Sequence, residues 1–369
     1  MRFESFSSVE AVDRSLWNQL AASAAPMMEW EYFYCLEKSA AVSPARGYQP
    51  CHLLLYEDNR PVGLAPLFER DRAWVEFGDG GLIELLTEIS GMPFHHGLVG
   101  TIPFTPVPGY QFLTRPEADS LKVHRALLER IDELCQEKGL STCRIYFVSP
   151  SAQALHALLR QQGYVCLRSD YCIWLNQGYR DFDDFLRTFK SGRRTKIRRE
   201  LKTIQQQGIQ IDMIPGSEAP PAYFAEMNEL YLRTWNKHMG NDIRAFLNET
   251  FFRLLGEMLP HRLLFSLARQ NSNTIAMAIF YEKAGCLYGR YWGCVEEVPF
   301  LHFATCYYQP ISYAIQHRMR MMDPGFGGQH KLFRGFQTVP ASHYIKFYGA
   351  AERRLAYSIL NQIQTRSAK

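Results

Sequence analysis

At 369 residues, with 47% hydrophobic and 14% aromatic content, the chain is long for a single core, and two domains of ordinary size are expected. A formal net charge of only +4 gives no bulk attraction to nucleic acid or membrane, so any site for a polyanion has to be local. The opening MRFESFSSVEAVDRS has no apolar core, no apolar run approaches the roughly 18 to 20 residues that span a bilayer, and nine cysteines lie without CxxC pairing; the expectation is a cytoplasmic protein with reduced, mostly buried thiols and no membrane span.

RFESF (2–6) predicts an edge strand, and VEAVDRSLWNQLAA a helix with Val12, Leu16 and Leu20 on one stripe. MMEWEYFYCLEKSA predicts a second helix. In CHLLLYEDNRPVGLAPLFERDRAWVEFG two apolar runs flank Asp58, Asn59, Arg60 and Pro61, which predicts a hairpin followed by a third strand. Residues 91–114 carry prolines at 103, 106 and 108 and are expected to hold no regular central strand or helix. EADSLKVHRALLERIDELCQEKG, apolar at 121, 127, 128, 131 and 134, predicts a helix stopped by Gly139; CRIYFV follows as a strand, SAQALHALLRQQG as a helix, and YVCLRSDYCIWL as one long strand or a pair.

The order β-α-α-β-β-β-α-β-α-β then begins again. IQIDMI is a strand, AYFAEMNELYLRTWNKH and IRAFLNETFFRLLGEML are helices, RLLFSLARQNSNTIAMAIFYEKAGCLYGRYWGC is a hairpin plus a third strand, and FLHFATCYYQPISYAIQHRM is a helix. The two hairpin turns, Asp58-Asn59 and 270–273, are a domain length apart, which indicates a duplicated mixed α/β unit. Between the copies, residues 182–208 place Phe182, Phe185, Phe189, Ile197, Leu201 and Ile204 on one helical stripe, with a break at Ser191-Gly192. From Lys190 to Lys202 seven basic residues face one acid, Glu200. Such a run is either a solvated face or a field for phosphates, with Arg193, Arg194, Lys196 and Arg198 as the candidate contacts.

The repeated order resembles the GNAT acyltransferase fold, and a tandem pair resembles the FemAB family of aminoacyl transferases. FLRTFKSGRRTKIRRELKTIQQQGIQI is similar to the basic helix that opens the second Fem unit, and RYWGCVEEVPFLHFATCYYQPISYAI with GGQHKLFRGF resembles the FemAB-like group of N-acyltransferases. The resemblance implies an α/β (mixed α+β) fold of two tandem GNAT-like units: residues 1–177, structural or acceptor-side, and 178–369, opening with the basic helix and carrying the site. It implies transfer of an acyl or aminoacyl group to an amine on a small molecule or peptide, in peptidoglycan-related metabolism. The co-substrate would be aminoacyl-tRNA or an acyl-CoA or other acyl thioester, with no permanently bound cofactor and no DNA partner. In GNAT folds the donor enters where the fourth strand diverges from the fifth, and 287–293 would be that fourth strand. Neither copy has the Gln/Arg-x-x-Gly-x-Gly/Ala turn that cradles a pyrophosphate; Glu296 and Glu297 stand there instead and would repel it.

The densest chemistry falls in 287–317 and 327–336. Strand alternation predicts Tyr288, Arg290 and Trp292 on one face, and Gly289 and Gly293 fit a bulge or a close ligand approach. Acyl transfer to an amine needs a proton acceptor and groups for developing charge, for which His302, His330 and Glu296 are the catalytic candidates. Arg290, Trp292, Glu297, Tyr307, Lys331 and Arg334 are the substrate-binding candidates. The acids serve alternatively as helix-dipole partners of a helix whose first turn holds Pro299, and His302 as a satisfied core histidine; Arg290, if buried, needs a partner, either Glu296 or a ligand carboxylate or phosphate. His95 and His96 project in different directions with no acid or cysteine at ligand spacing, so no metal site is expected; GxSxG and GxGxxG motifs are absent. A binding protein for a peptide, polyamine or cell-wall precursor that kept the fold without the chemistry is the alternative.

Overall fold

The computed structural model describes residues 1–71 and 78–367, with side chains to 360, and the chain divides into two compact units, residues 1–169 with 340–369 and residues 170–339. The cut expected at 177/178 thus falls at 169/170, and the C-terminal stretch belongs with the first unit. In chain order the first unit runs β1 (Arg2–Phe6), α1 (Arg14–Leu20), α2 (Trp30–Lys38), β2 (Tyr48–Pro50), β3 (His52–Glu57), β4 (Arg60–Ala65), β5 (Phe68–Arg70), α3 (Leu82–Ser90), β6 (Gly97–Gly100), β7 (Leu113–Thr114), α4 (Ser120–Glu137), β8 (Thr142–Val148), α5 (Gln153–Gln161) and the start of β9 (Val165–Leu175). β1, β3, β4 and β7 form a four-stranded sheet with β1 at its edge, and β8 lies parallel to β6, which continues to β5 and β2.

The first hairpin closes through Asp58 and Asn59, both left-handed (φ 47° and 60°), the conformation a two-residue turn needs to match strand twist. Helix α1 starts where the Asp13 carboxylate accepts the Leu16 N–H, and it buries Trp17 and Leu20 while Leu16 stays half-buried. Likewise Leu121 is exposed on α4. Two expectations need correcting. Residues 91–114 do contain a central strand, β6, held between β5 and β8; the prolines bar regular pairing only from 103 onward. Helix α3 adds an element that the sequence pattern does not announce. Of the third strand after the hairpin, β5 is present and 72–77 lie outside the described residues.

The second unit continues with α6 (Phe182–Arg187), α7 (Ser191–Gln206), β10 (Ile209–Pro215), α8 (Pro221–Met239), α9 (Glu249–Met258), β11 (Leu263–Gln270), β12 (Asn273–Lys283), β13 (Cys286–Cys294), α10 (Leu301–Phe303), a π-helical turn (Ala304–Tyr308), α11 (Gln309–Gln316) and β14 (Met321–Asp323). A 3-10 turn (Gln329–Arg334) leads to β15 (Gln337–Phe347), which pairs antiparallel with β8 of the first unit's sheet, and to α12 (Ala350–Ser367). This pairing is why 340–369 joins the first unit.

Strands β10, β11, β12 and β13 are antiparallel in sequence order, β14 is parallel to β13, and the end of β9 completes the sheet beside β14. The hairpin turn uses left-handed Asn271 and Ser272, as at Asp58-Asn59. One sheet face packs on α6, α7 and α10–α11 through Trp174, Phe185, Ile197, Ile204, Phe280 and Ile311. Within the helix after β13, Pro310 offers no N–H to the preceding turn, and the turn widens to π geometry where Tyr307 and Tyr308 sit. No helix among the described residues is long and apolar enough to cross a membrane.

Candidate active site

β13 and β14 pair only from Cys286↔Met321 to Tyr288↔Asp323; β13 then runs on to Cys294 while the other chain leaves at Pro324 and Gly325. The strands therefore part at Gly289, as the GNAT resemblance implies for a fourth and fifth strand. Tyr291 is a left-handed bulge residue (φ 51°), and the pairing jumps from Ile279↔Arg290 to Ala278↔Trp292. That extra residue overturns the simple alternation: Trp292 moves to the face of Leu287 and packs on His302, whereas Tyr291 packs on Tyr231, Phe251 and Phe252. Gly293 is needed for protein packing, since a Cβ there would lie 2.1 Å from the Leu230 carbonyl oxygen on α8.

Arg290 pairs with Asp323 and not with Glu296. Its Nη1 donates to Asp323 Oδ1 at 3.1 Å and to the Gly289 carbonyl, and both groups are buried. Asp323 also accepts from the Tyr171 hydroxyl (2.8 Å) and the Gly325 N–H (2.8 Å). Burial opposes the Arg290 charge, but Asp323 and Tyr171 outweigh it and hold its pKa above the ordinary value.

After β13 the chain turns through exposed Glu296 and Glu297, and Glu297 forms a surface ion pair with Lys237. Pro299 precedes the helix instead of sitting in its first turn, because left-handed Phe300 (φ 69°) is the residue that starts α10. Both acids therefore lie outside the side-chain cluster that the helix builds. In that cluster the His302 ring meets Trp292 (5.1 Å between centroids), Tyr307 (5.2 Å) and His330 (6.2 Å). Burial first, then the charges of His330, Lys331 and Arg334, depress His302 to about 4, so it is neutral at pH 7. Tyr307 Oη lies 3.1 Å from His330 Nε2, and burial pushes the phenol well above its usual range. His330 is also depressed, by partial burial and by Arg334 and Lys331.

The 3-10 turn that presents His330 is fixed from both sides. Lys331 Nζ, buried, donates to the Gly325 carbonyl (2.7 Å) and the Phe326 carbonyl (3.2 Å), and burial brings it down to about 8. Arg334 is occupied by the protein: Nη2 meets both Glu200 oxygens (3.1 and 3.2 Å), Nη1 donates to the His330 carbonyl (3.0 Å), and the guanidinium lies 3.4 Å over Phe303. Glu200 also takes the Tyr308 hydroxyl. Arg334 is thus a buried clamp between α7 and the turn and not a free substrate contact. Glu200, Asp323, Tyr171 and Tyr308 were missed by sequence reasoning. Glu200 alone left a signal, an acid spaced with Ile197 and Ile204 on the apolar stripe of a basic helix.

On α7 the four basic candidates differ. Arg198 pairs with Asp183 (2.9 Å), Arg194 donates to the Phe189 carbonyl (3.3 Å), Arg193 lies 4.5 Å over the exposed Phe333 ring, and Lys196 is exposed. The α6–α7 break falls between Arg187 and Ser191, beside the expected Ser191-Gly192.

A family profile described as peptidoglycan biosynthesis/recognition, FemAB-like, matches residues 8–368. The chain belongs to the FemAB-like family. It is accordingly an acyl- or aminoacyl-transferase of peptidoglycan metabolism. Its fold is similar to that of the crystal structure of FemX (TM-score 0.58, 10% identity, 96% of this chain and 99% of that one). It is similar also to the C-terminal domain assigned to a lysylphosphatidylglycerol synthetase from Agrobacterium fabrum (TM-score 0.56, 8% identity, 95% and 97%). A conserved protein of unknown function from Bacteroides thetaiotaomicron gives TM-score 0.54 at 12% identity, covering 94% of this chain and all of that one. No curated protein matches the sequence.

Proposed function

We propose that the protein moves an aminoacyl group from an aminoacyl-tRNA to the amine of a small molecule or peptide, in the cytoplasm, with the reaction in the cleft of residues 287–336. The supporting observation is His330, a neutral imidazole held by Tyr307 beside the point where β13 and β14 part. If Nε2–H donates to the Tyr307 oxygen, the Nδ1 lone pair is left to accept a proton; Gly328 packs on the Cε1 edge of the ring, where a Cβ would lie 3.1 Å from each nitrogen. The amine nitrogen attacks the ester carbonyl carbon, Nδ1 takes the amine proton, and the ester C–O bond breaks. The proton then passes to the departing ribose oxygen. His330 suits this role better than His302, whose pKa of about 4 makes it too weak a base.

Exposed Glu296 and Glu297 between β13 and α10 disfavour a CoA pyrophosphate and favour a donor held elsewhere. Helix α7 provides the positive surface, through Arg193, Arg194, Lys196 and Arg198. The first unit serves as a structural or acceptor-side unit. Incubating the protein with a panel of labelled aminoacyl-tRNAs and acyl-CoAs in the presence of amine acceptors tests the reading. Transfer from aminoacyl-tRNA that His330→Gln abolishes is the expected result; ligand binding with no donor turned over would make the protein a binding module.

A further inference from the structure

Arg290 is 7% exposed, yet two of its donors, Nε and Nη2, make no hydrogen bond of good geometry among the described residues; the Tyr171 hydroxyl, which also interacts with Arg290, spends its own proton on Asp323. A buried guanidinium N–H without an acceptor has given up its hydration for nothing in return, so an arrangement that keeps two of them there calls for a ligand. The free donors form one edge of the fork, the Nε–Nη2 edge that meets two coplanar oxygens side by side. The opposite corner, Nη1, is fixed by Asp323 and the Gly289 carbonyl, and Asp323 is itself filled by the Tyr171 hydroxyl and the Gly325 N–H. The guanidinium therefore cannot swing to satisfy itself. Gly325, left-handed at φ 88°, lies against the paired corner, where a Cβ would sit at ordinary contact distance, 3.7 Å from Nη1 and 3.4 Å from the Gly289 oxygen.

Charge balance points the same way. Asp323 and Arg290 both act on the ionisation of Lys331, so the three charges share one neighbourhood, and with Lys331 protonated they sum to one unmatched positive charge. We infer that the Nε–Nη2 edge of Arg290 receives a carboxylate of the substrate, which makes the parting of β13 and β14 a carboxylate subsite. A planar carboxylate meets a nine-tenths-buried fork edge-on, whereas a phosphodiester brings two bulky ester arms. Resting on the transferase reading above, this narrows the acceptor to an amino acid or peptide whose carboxylate lies near its reacting amine. Arg290 is then a specificity-determining residue.

The test uses N-acetylglycine, its neutral amide N-acetylglycinamide, and inorganic phosphate as probes in titration calorimetry of the intact protein. The acid is expected to bind at least about tenfold more tightly than the amide. Arg290→Lys, which keeps a positive charge for Asp323 but loses the fork, is expected to cut that preference to within about twofold while the protein still melts cooperatively. Should that variant fail to fold, NMR of ε-13C-labelled lysine in the native protein gives the answer: N-acetylglycine raises the Lys331 pKa and the amide does not. Equal binding of acid and amide, a preference that survives Arg290→Lys, a Lys331 titration blind to the acid, or tighter binding of phosphate than of N-acetylglycine would each overturn the inference. Because none of these readouts needs turnover, loss of the carboxylate subsite and loss of the transferase reading are told apart. Acid-selective binding without transfer sinks only the latter, and transfer without acid selectivity only the former.

Discussion

Among the described residues each unit holds a parallel strand pair, β6 with β8 and β13 with β14, and the two pairs end differently. In the first unit β6 lies beside β8 from Gly97↔Thr142 to Gly100↔Ile145, after which Pro103, Pro106 and Pro108 carry the chain around until Tyr110 bridges back to Val148. The Tyr110 ring fills the space over Gly100, fully buried, and its hydroxyl donates to the Pro66 carbonyl at 2.7 Å. In the second unit the place where β13 leaves β14 holds Arg290 with donors to spare, and the neighbouring turn presents His330. One backbone device is plugged by an aromatic and the other is lined with ionisable groups. What distinguishes the candidate site from its counterpart in the first unit is the filling, since a parallel strand pair is common to both.

The sharpest way to break this comparison is at the proposed base. His330→Gln should lower transfer roughly 10²- to 10⁴-fold with the fold intact. The acid limb of kcat/KM against pH, set in the native enzyme below 6.5 by the depressed His330, should vanish with it. Next in size is the clamp: Glu200→Ala strands buried Arg334 and should cost about 3–5 kcal/mol in urea unfolding. Acid titration compares the units directly. His124 and His343 in the first and His302 in the second are each depressed by burial to about 4, against 6.5 when exposed. The unfolded chain takes up these protons first, so their contribution is complete above pH 6.5 and is lost as pH falls toward 4. His302→Gln should make the melting temperature less acid-sensitive over that window.

Smaller effects follow. Reversing Arg193, Arg194 or Arg198 to Glu should weaken tRNA binding and flatten its dependence on salt, by up to about 0.9 in the log–log slope for each phosphate no longer neutralised; an unchanged slope rejects a role for α7 in holding the donor. Tyr110→Phe, which removes one buried hydrogen bond from the plug, should lower stability by about 1 kcal/mol and leave transfer untouched.

Much of the fold was legible because its signals are local. Asp58-Asn59 and Asn271-Ser272 are turn residues between apolar runs, and the stripe from Phe182 to Ile204 kept its helical period through a break. The family resemblance, carried by the long motifs after Leu287, located the second unit's fourth strand. What was not legible depends on distant partners or on a single backbone torsion. The left-handed Tyr291 moves Trp292 to the other face, and no pattern of residue types announces it. Arg290 was expected to need an anion, with Glu296 or a ligand carboxylate or phosphate as the choices, whereas Asp323 arrives from β14. Arg334 looked like a free cation beside His330 until Glu200, from a helix far earlier in the chain, proved to hold it. Strand pairing by β15 likewise moved the unit boundary, because the last strand pairs away from its neighbours in sequence.

The central claim is that chemistry resides in the second unit's cleft with His330 as proton acceptor. Its most direct test is single-turnover transfer of a labelled aminoacyl group from aminoacyl-tRNA to an amine, with the native protein, His330→Gln and Tyr110→Phe side by side. Full transfer by the native protein and Tyr110→Phe, with a loss of at least about 100-fold in His330→Gln, is the predicted result. Equal transfer by His330→Gln and the native protein would contradict it.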